Sequence, residues 1–303
     1  MGNFAPIALF VYKRLGHTHQ VIEALKKNEL SKNSELFIFS DGYKNDEDRE
    51  KVKTVRQYIR TIYGFKNITI IERDNNFGLA NSAIAGITEI IDKYGKIIIV
   101  EDDNFTSKYF LRYINDVLSF YEDEKKVAVI TGYMYPIKRY LPPTFFLRGA
   151  ANWGVGTWKK GWDLFEPDAK KLLDELRKRK LTKEFDLNGA YPFSKMLEAQ
   201  ASGKIDSWTI RWHASAFLED KLTLYPGKSL VRNIGFDTSG THCDSGNVYD
   251  TTLTTEPVII KEIPIEESAI ALKEIERFFK SIKPNIFKRI ANKWRNIVKR
   301  WDV

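Results

Sequence analysis

Short apolar runs alternate with amphipathic stretches over the first 130 residues of the chain. Runs of four to six apolar residues predict strands buried on both faces, and the stretches between them have the three- and four-residue spacing of helices. The predicted strands are residues 7–12, 36–40, 68–71, 97–100 and 127–130. The predicted helices are residues 19–27, 46–63, 79–94 and 108–121. This alternation indicates an α/β fold, in which a mostly parallel sheet is flanked by helices.

Beyond residue 130 the pattern is irregular and rich in aromatic residues. Two glycines frame residues 149–156, and we expect a loop there that leads into a helix containing Trp158 and Trp162. Further helices are predicted at residues 169–180 and 192–201, with a strand at 222–226 and loops as far as 262. The chain therefore predicts one domain over residues 1–262, with halves at 1–130 and 131–262, and a basic, helical tail at 263–303.

The charge pattern bears on the class of partner. The chain of 303 residues carries a net charge of +8, and residues 280–300 contain eight basic side chains and no acidic one. The rest of the chain is formally neutral, so a broad nucleic-acid-binding face is not expected. The single cysteine, Cys243, allows no disulfide within the chain and fits a reducing cytosol. Residues 1–6 lack the features of a signal peptide, and no apolar run is long enough to span a membrane.

Three consecutive acidic residues, Glu101, Asp102 and Asp103, follow the fourth predicted strand. Like charges this close repel one another, and a divalent cation would remove the repulsion. Carboxylate oxygens suit Mg²⁺ or Mn²⁺, usually with substrate phosphates completing the coordination shell. Ligands of such sheets bind at the carboxyl ends of the strands, where Asp41 also lies. The alternative is an acidic turn that is simply solvated.

Five segments of the chain carry a resemblance to a known family. They are residues 39–42, 97–103, 154–167, 206–208 and 224–242. In this order they resemble segments of N-acetylglucosaminyltransferase I and its bacterial relatives, and the resemblance extends over residues 6–245. It implies a GT-A fold and an inverting transfer of a hexosyl or N-acetylhexosaminyl group from a UDP-sugar, with Mn²⁺ or Mg²⁺ as cofactor.

The resemblance also implies roles for individual residues. Asp103 would be the direct metal ligand, Asp102 would face the ribose or the metal shell, and Glu101 would face the donor sugar. Asp41 would bind the uracil, whose N3–H needs an acceptor. Arg14, just past the first strand, would contact the nucleotide, because a diphosphate favours arginine. The alternative for Arg14 is an ordinary exposed arginine.

An inverting transfer needs a carboxylate that takes the proton of the acceptor hydroxyl. Asp206, Glu219 and Asp220 are the candidates, and we favour Asp206 because the family has Asp-Asp-Trp where this chain has Asp206-Ser207-Trp208. Here serine replaces the second aspartate. Sugar rings stack on aromatic side chains, so Trp153 and Trp208 are predicted to contact the acceptor, although packing in the core is the alternative.

The turn after the third strand and the histidines supply further candidates. Asn81 is predicted to open the third helix near the nucleotide. His242, in a glycine-flanked loop, is predicted to bind the metal or a diphosphate oxygen when that loop closes. His17 and His19 are expected at the surface, and His213 in the core.

The basic tail predicts where the protein acts. Apolar residues recur at helical spacing over residues 286–301, with lysines and arginines between them. This pattern is typical of a helix lying on an anionic membrane, and the alternative is a helix packed on the domain. We therefore expect a cytoplasmic enzyme, peripherally bound to the inner face of the membrane, that builds surface polysaccharide on a lipid-linked acceptor. The rival functions are a nucleotidyltransferase and a non-catalytic, sugar-binding protein of the same fold.

Overall fold

The computed structural model of the protein describes residues 4–237 and 247–282. Its strands are β1 (Ile7–Val11), β2 (Glu35–Ser40), β3 (Asn67–Glu72), β4 (Lys96–Glu101), β5 (Asn104–Thr106), β6 (Val127–Thr131), β7 (Thr144–Arg148), β8 (Val155–Trp158), β9 (Leu222–Pro226) and β10 (Val231–Asn233). Its helices are α1 (Leu15–Lys26), α2 (Asp46–Ile59), α3 (Leu79–Tyr94), α4 (Phe110–Phe120), α5 (Lys159–Trp162), α6 (Ala169–Lys178), α7 (Thr182–Phe185), α8 (Phe193–Ala201), α9 (Trp208–Leu218) and α10 (Ala269–Ile282). The strands and helices predicted over the first 130 residues are confirmed.

The large sheet has the strand order β3-β2-β1-β4-β8-β6-β9-β7. Strands β1 to β4 and also β6 and β9 run parallel, whereas β8 and β7 are antiparallel to their neighbours. The chain builds outward from β1 to β3 and then crosses to the other side of β1 to form β4. The strand order therefore switches between β1 and β4, and the crevice at their carboxyl ends is the expected ligand site.

The two faces of the sheet are buried by different helices. Ile7, Leu9 and Val11 of β1 belong to the cluster that packs against α1, α2 and α4, whereas Ala8 and Phe10 face the cluster of α3 and α9. This alternation follows from the two-residue period of a strand, and it requires apolar residues at every position of β1. Burial of each such aliphatic side chain contributes roughly 1.5–3 kcal/mol.

The segment around Gly156 is a strand, not the predicted loop. Val155–Trp158 forms β8 in the middle of the sheet, and the helix containing Trp162 is only the short α5. A Cβ on Gly156 would lie 2.4 Å from Ile114 Cγ2, so the glycine is needed for close packing of β8 against α4. The sequence pattern was misleading here because glycine serves close contacts as well as turns.

The last described helix, α10, packs on the domain. Its buried residues Ala271, Ile275 and Phe279 recur every four residues and contact the cluster that contains Phe145 and Leu147 of β7. The first part of the predicted tail is thus covered by the body of the domain, whereas the amphipathic pattern at 286–301 lies outside the described residues. Within the described ranges no helix is both long and apolar enough to cross a membrane.

Candidate active site

Arg14 and the acidic cluster meet at the switch in strand order. Arg14 follows β1, and Glu101 ends the neighbouring β4. The guanidinium Nε and Nη2 of Arg14 donate to the two carboxylate oxygens of Asp102, the first at 3.3 Å, and Nη2 also donates to Asp103 Oδ2 at 2.9 Å. The side chains of Asp102 and Asp103 are only 9% and 12% exposed. The structure therefore brings Arg14, Asp102 and Asp103, three of the residues predicted to bind nucleotide or metal, into one cluster.

A small second sheet fixes the position of Asp103. Asn104 of β5 pairs with Asn233 of β10. The side-chain amides of both asparagines lie within hydrogen-bond distance of Asp103 Oδ1, at 2.8 Å and 3.3 Å. The backbone carbonyl of Asp103 accepts from Ile234 N at 2.9 Å. Sequence reasoning missed both asparagines. Asn104 directly follows the acidic run, but Asn233 is 130 residues from Asp103 and reaches it only through tertiary structure.

The acidic groups of this cluster outnumber the cationic group that contacts them. Three carboxyl groups face the single guanidinium of Arg14, so full ionisation leaves two negative charges uncompensated. Burial raises the pKa of Glu101, and repulsion by Asp103 and Asp102 raises it further. Burial also raises the pKa of Asp102, against the opposing effect of Arg14. A divalent cation would favour the ionised form of all three groups.

The donor set can be tested for its fit to a metal. Among the described residues, no group of three or more His, Cys, Asp and Glu side chains forms a metal site by itself. A cation held by one or two carboxylates would therefore depend on phosphate oxygens, which is usual for Mg²⁺. Arg14 Nη1 is buried and has no hydrogen-bond partner within the described part of the chain. This unpaired donor fits a phosphate oxygen, so the residues fit a metal–diphosphate pair.

Trp208 lies behind the acidic cluster. It is 3% exposed and packs with Trp162 and Trp212 at ring-centroid distances of 6.1 and 5.9 Å. Its indole N–H is turned toward Glu101 and lowers the pKa of that carboxyl, although the nitrogen does not reach hydrogen-bond geometry. Because Trp208 is buried in the core, it offers no face for stacking on a sugar. The predicted acceptor contact through Trp208 is wrong.

Asp41 holds the turn that precedes α3. Its Oδ1 accepts from the backbone N–H groups of Gly42 and Phe77 at 3.0 and 2.9 Å, and its Oδ2 accepts from Gly78 at 2.9 Å. A carboxylate offers about four acceptor positions, so these three bonds leave one for a ligand N–H. The predicted contact with uracil stays a prediction.

Asn81 does not open α3. Gly78, with φ of +75°, is the residue that caps the helix, and Asn81 is the third helical residue. The side-chain amide of Asn81 donates to Phe77 O at 3.1 Å. The positive φ at Gly78 strains any residue with a Cβ, which explains why glycine occupies the cap instead of the asparagine.

Asp206 is an accessible carboxylate beside this turn. Its side chain is 56% exposed and lies 3.5 Å from Arg211 Nη2. A Cβ on Gly78 would lie 3.9 Å from Asp206 Oδ2, so Asp206 and Asp41 approach the same glycine. Ser207 is the N-cap of α9 and accepts from Ile210 N at 3.4 Å. The serine therefore has a structural role as a helix cap.

Glu219 and Asp220 lie at the opposite edge of the sheet. They follow the carboxyl end of α9 and precede β9, whose first residue, Leu222, pairs with Val127 at the start of β6. Asp220 faces Arg148 at 3.9 Å. Since the acidic cluster lies at the carboxyl ends of the parallel strands, these two alternatives for the base are excluded.

Trp153 belongs to an aromatic cluster next to the acidic residues. It adopts a φ of +64°, and its ring contacts Tyr133, Phe236 and Tyr249 at centroid distances of 4.6, 5.7 and 6.0 Å. The following residue, Gly154, donates its backbone N–H to Asn104 Oδ1 at 3.0 Å. Trp153 is partly exposed, so its predicted contact with an acceptor stays open.

The histidines differ from one another in their surroundings. His17 is not a free surface residue, because its Nε2 lies 3.2 Å from Ile234 O and 3.1 Å from Asp237 Oδ2. His213 is half-buried among aromatic side chains, with Nδ1 2.8 Å from Ala150 O, and burial lowers its pKa to about 4. His242, the predicted metal or diphosphate ligand, lies outside the described residues, as does Cys243.

Comparisons with known proteins find distant similarities to solved structures. No protein-family model matches the sequence, and no curated protein matches it significantly. The chain is similar to the structure of S. aureus TarS 1-349, with 13% identity and a TM-score of 0.43 over 76% of this chain and 60% of that one. Another S. aureus TarS structure is similar with 14% identity and a TM-score of 0.43, over 76% of this chain and 36% of that one.

A third similar structure is the mannosyltransferase PcManGT from Pyrobaculum calidifontis in complex with GDP-Man and Mn²⁺, with 11% identity and a TM-score of 0.38 over 70% of this chain and 73% of that one. The chain thus spans less than two thirds of the TarS chains. At these values the likeness is distant, so function has to be argued from the site, and the resemblance to N-acetylglucosaminyltransferase I stays a prediction.

Proposed function

We propose that this protein is a metal-dependent glycosyltransferase that moves a sugar from a UDP-sugar to a glycan acceptor. The observation that carries the proposal is the contact of Arg14 with Asp102 and Asp103 across the switch in strand order. One guanidinium nitrogen of Arg14 is buried there without a partner among the described residues. An arginine fork beside surplus carboxylates suits a diphosphate that binds together with a divalent cation.

Each residue of the cluster would bind a different part of the donor and its metal ion. Asp103, held by Asn104 and Asn233, would bind the metal, and Asp102 would complete the metal shell or bind the ribose. Arg14 would donate its free N–H to a phosphate oxygen. A bound Mn²⁺ or Mg²⁺ would supply neutralisation of the charge that develops on the leaving UDP.

Asp206 is our candidate for the general base of an inverting transfer. In that reaction the acceptor oxygen bonds to the anomeric carbon, the bond from that carbon to the phosphate oxygen breaks, and Asp206 takes the hydroxyl proton. The exposure of Asp206 supports this role, because its side chain is 56% exposed at the edge of the sheet where the metal would bind. Glu101, more buried, would face the donor sugar.

The aromatic cluster supports a lipid-linked acceptor. The ring of Phe278, near the end of α10, lies 6.1 Å from Tyr249, which lies 5.4 Å from Phe236 and 6.0 Å from Trp153. Helix α10, which precedes the basic residues of the tail, thus ends beside the aromatic cluster of Trp153, the residue predicted to contact the acceptor. We propose that these residues bind the anionic inner face of the cell membrane, where a lipid-linked acceptor for surface polysaccharide would be found.

Release of UDP tests the proposal. We expect a panel of UDP-sugars to give Mn²⁺-dependent release of UDP, and UDP with Mn²⁺ to raise the Tm. Asp103→Asn should abolish both effects, because it removes a metal-binding charge. The matched control is Asp163→Asn, since Asp163 is 52% exposed and pairs with Lys159 instead.

Two results would contradict the proposal. One is a wild-type protein whose Tm does not change with UDP and Mn²⁺ and which releases no UDP from UDP-sugars in the presence of Mn²⁺. The other is release of pyrophosphate from a nucleoside triphosphate and a sugar phosphate, which would identify a nucleotidyltransferase.

A further inference from the structure

The backbone at Gly235 lies directly over the ion pair of the site. A Cβ on Gly235 would lie 2.5 Å from Asp103 Oδ2 and 3.0 Å from Arg14 Nη1. The position is fixed on one side, because Ile234 N donates to Asp103 O at 2.9 Å and Gly235 N donates to Asn233 Oδ1 at 2.8 Å. Gly235 therefore lies beside the guanidinium nitrogen that has no hydrogen-bond partner among the described residues.

His17 holds the same segment from the other side. It lies in the first turn of α1, three residues after Arg14, and its side chain is 14% exposed. Its Nε2 lies 3.2 Å from Ile234 O and 3.1 Å from Asp237 Oδ2. Both partners are acceptors, so Nε2 carries the hydrogen and donates. Residues 234–237 are thus tied to α1 as well as to Asp103.

We propose that His17 is a positioning residue that holds residues 234–237 over the Arg14–Asp103 pair and thereby sets the affinity for the donor diphosphate. The inference rests on the proposed function. Gly235 lies next to Arg14 Nη1, the nitrogen that would donate to the diphosphate, so the position of this backbone limits the space beside that nitrogen for a phosphate oxygen. Without His17 the segment would have to be ordered when the ligand binds, and that ordering lowers affinity.

Amide hydrogen exchange tests the contact without any ligand. We expect His17→Ala to speed exchange of the amides at residues 234–237. His17→Gln should restore slow exchange, because its amide N–H can reach the same carbonyl. His19→Ala is the matched control, since His19 lies on the same helix with its ring 5.2 Å from that of Tyr58. Exchange in His17→Ala that equals exchange in His19→Ala would overturn the proposal.

Kinetics test the consequence for the donor. In His17→Ala we expect the Kd for UDP with Mn²⁺ and the KM for the UDP-sugar to rise roughly five- to tenfold, the effect of losing about one hydrogen bond. The kcat should change less than about twofold, since His17 does not touch the reacting atoms. His17→Gln should recover most of the lost affinity.

The two proposals fail in different ways. If the wild-type protein neither binds UDP nor releases it from UDP-sugars, the proposed function fails while hydrogen exchange still tests the contact. If the wild-type protein transfers sugar and His17→Ala keeps its KM and Kd, the role of His17 is overturned and the proposed function stands.

Discussion

Arg14 and Asp102 are 88 residues apart in the chain, yet Arg14 Nε lies 3.3 Å from Asp102 Oδ2. Arg14 Nη2 donates to the other oxygen of the same carboxylate, so the contact is bidentate. Parallel pairing of β1 with β4 brings the two carboxyl ends together and makes this contact possible. The arginine compensates part of the charge of the buried acids, and its Nη1 has no hydrogen-bond partner among the described residues.

Loss of Arg14 should destabilise the protein in the absence of metal. Arg14→Gln leaves the buried Asp102 and Asp103 without the cationic side chain that pairs with them, and we expect a loss of about 3 kcal/mol in the free energy of unfolding. Mn²⁺ should restore part of this loss. Urea unfolding with and without Mn²⁺ measures both effects. Arg112→Gln is the control, because Arg112 is 44% exposed and pairs with the exposed Glu29, and it should change stability by less than about 1 kcal/mol.

The base can be identified by comparing carboxylates at the two edges of the sheet. Asp206→Asn should lower the rate of sugar transfer by about 10²-fold or more, because the acceptor proton loses its base. The Kd for UDP with Mn²⁺ should hardly change. Glu219→Gln and Asp220→Asn, at the far edge, should leave transfer within about twofold of wild type. Full activity in Asp206→Asn would show that Asp206 is not the base.

His213 should make stability depend on pH. Burial lowers its pKa to about 4 in the folded protein, against an ordinary value of 6.5. Between these values the unfolded chain binds a proton that the folded chain does not. The free energy of unfolding should therefore fall as the pH drops from about 6.5 to about 4, by about 3 kcal/mol in total, and this contribution should level off below pH 4.

Urea unfolding of wild type and His213→Asn from pH 8 to pH 4 measures this dependence. The variant is expected to be less stable at pH 8, since its side chain fills less of the space among Phe185, Phe193 and Phe217. The free energy of unfolding of the variant should also depend less on pH between about 6.5 and about 4, because the protonation of His213 no longer contributes. Equal slopes for the two proteins would show that His213 becomes protonated without loss of the fold.

The basic residues beyond α10 should govern membrane binding. A chain ending at Ile282 keeps the buried Phe279 and should bind UDP like the full chain. We expect it to lose binding to anionic vesicles and to lose more activity on lipid-linked than on soluble acceptors. Vesicle sedimentation at low and high salt measures the first effect. A full-length protein that does not sediment with anionic vesicles at low salt would contradict the prediction.

Local sequence was enough to predict most of the sheet. Strands such as β1 and β4 are apolar at nearly every position, and such a short apolar run is typical of a strand that is buried on both faces. The pattern failed at β8, where Gly156 is needed by a neighbour distant in sequence, Ile114. It also failed for Trp208, because an aromatic side chain suits a sugar site and a protein core equally well.

The sequence by itself determined the α/β class, the strand ends that carry Arg14 and the acidic run, and the basic character of the tail. These properties follow from patterns within a few residues of the chain. Only the tertiary structure decided that Asn233 lies beside Asp103 and His17 beside Ile234 and Asp237, that Asp41 holds a turn, and that Asp220 lies at the opposite edge of the sheet from the acidic cluster. Such roles depend on which strands become neighbours, and that is set by the packing of the whole domain.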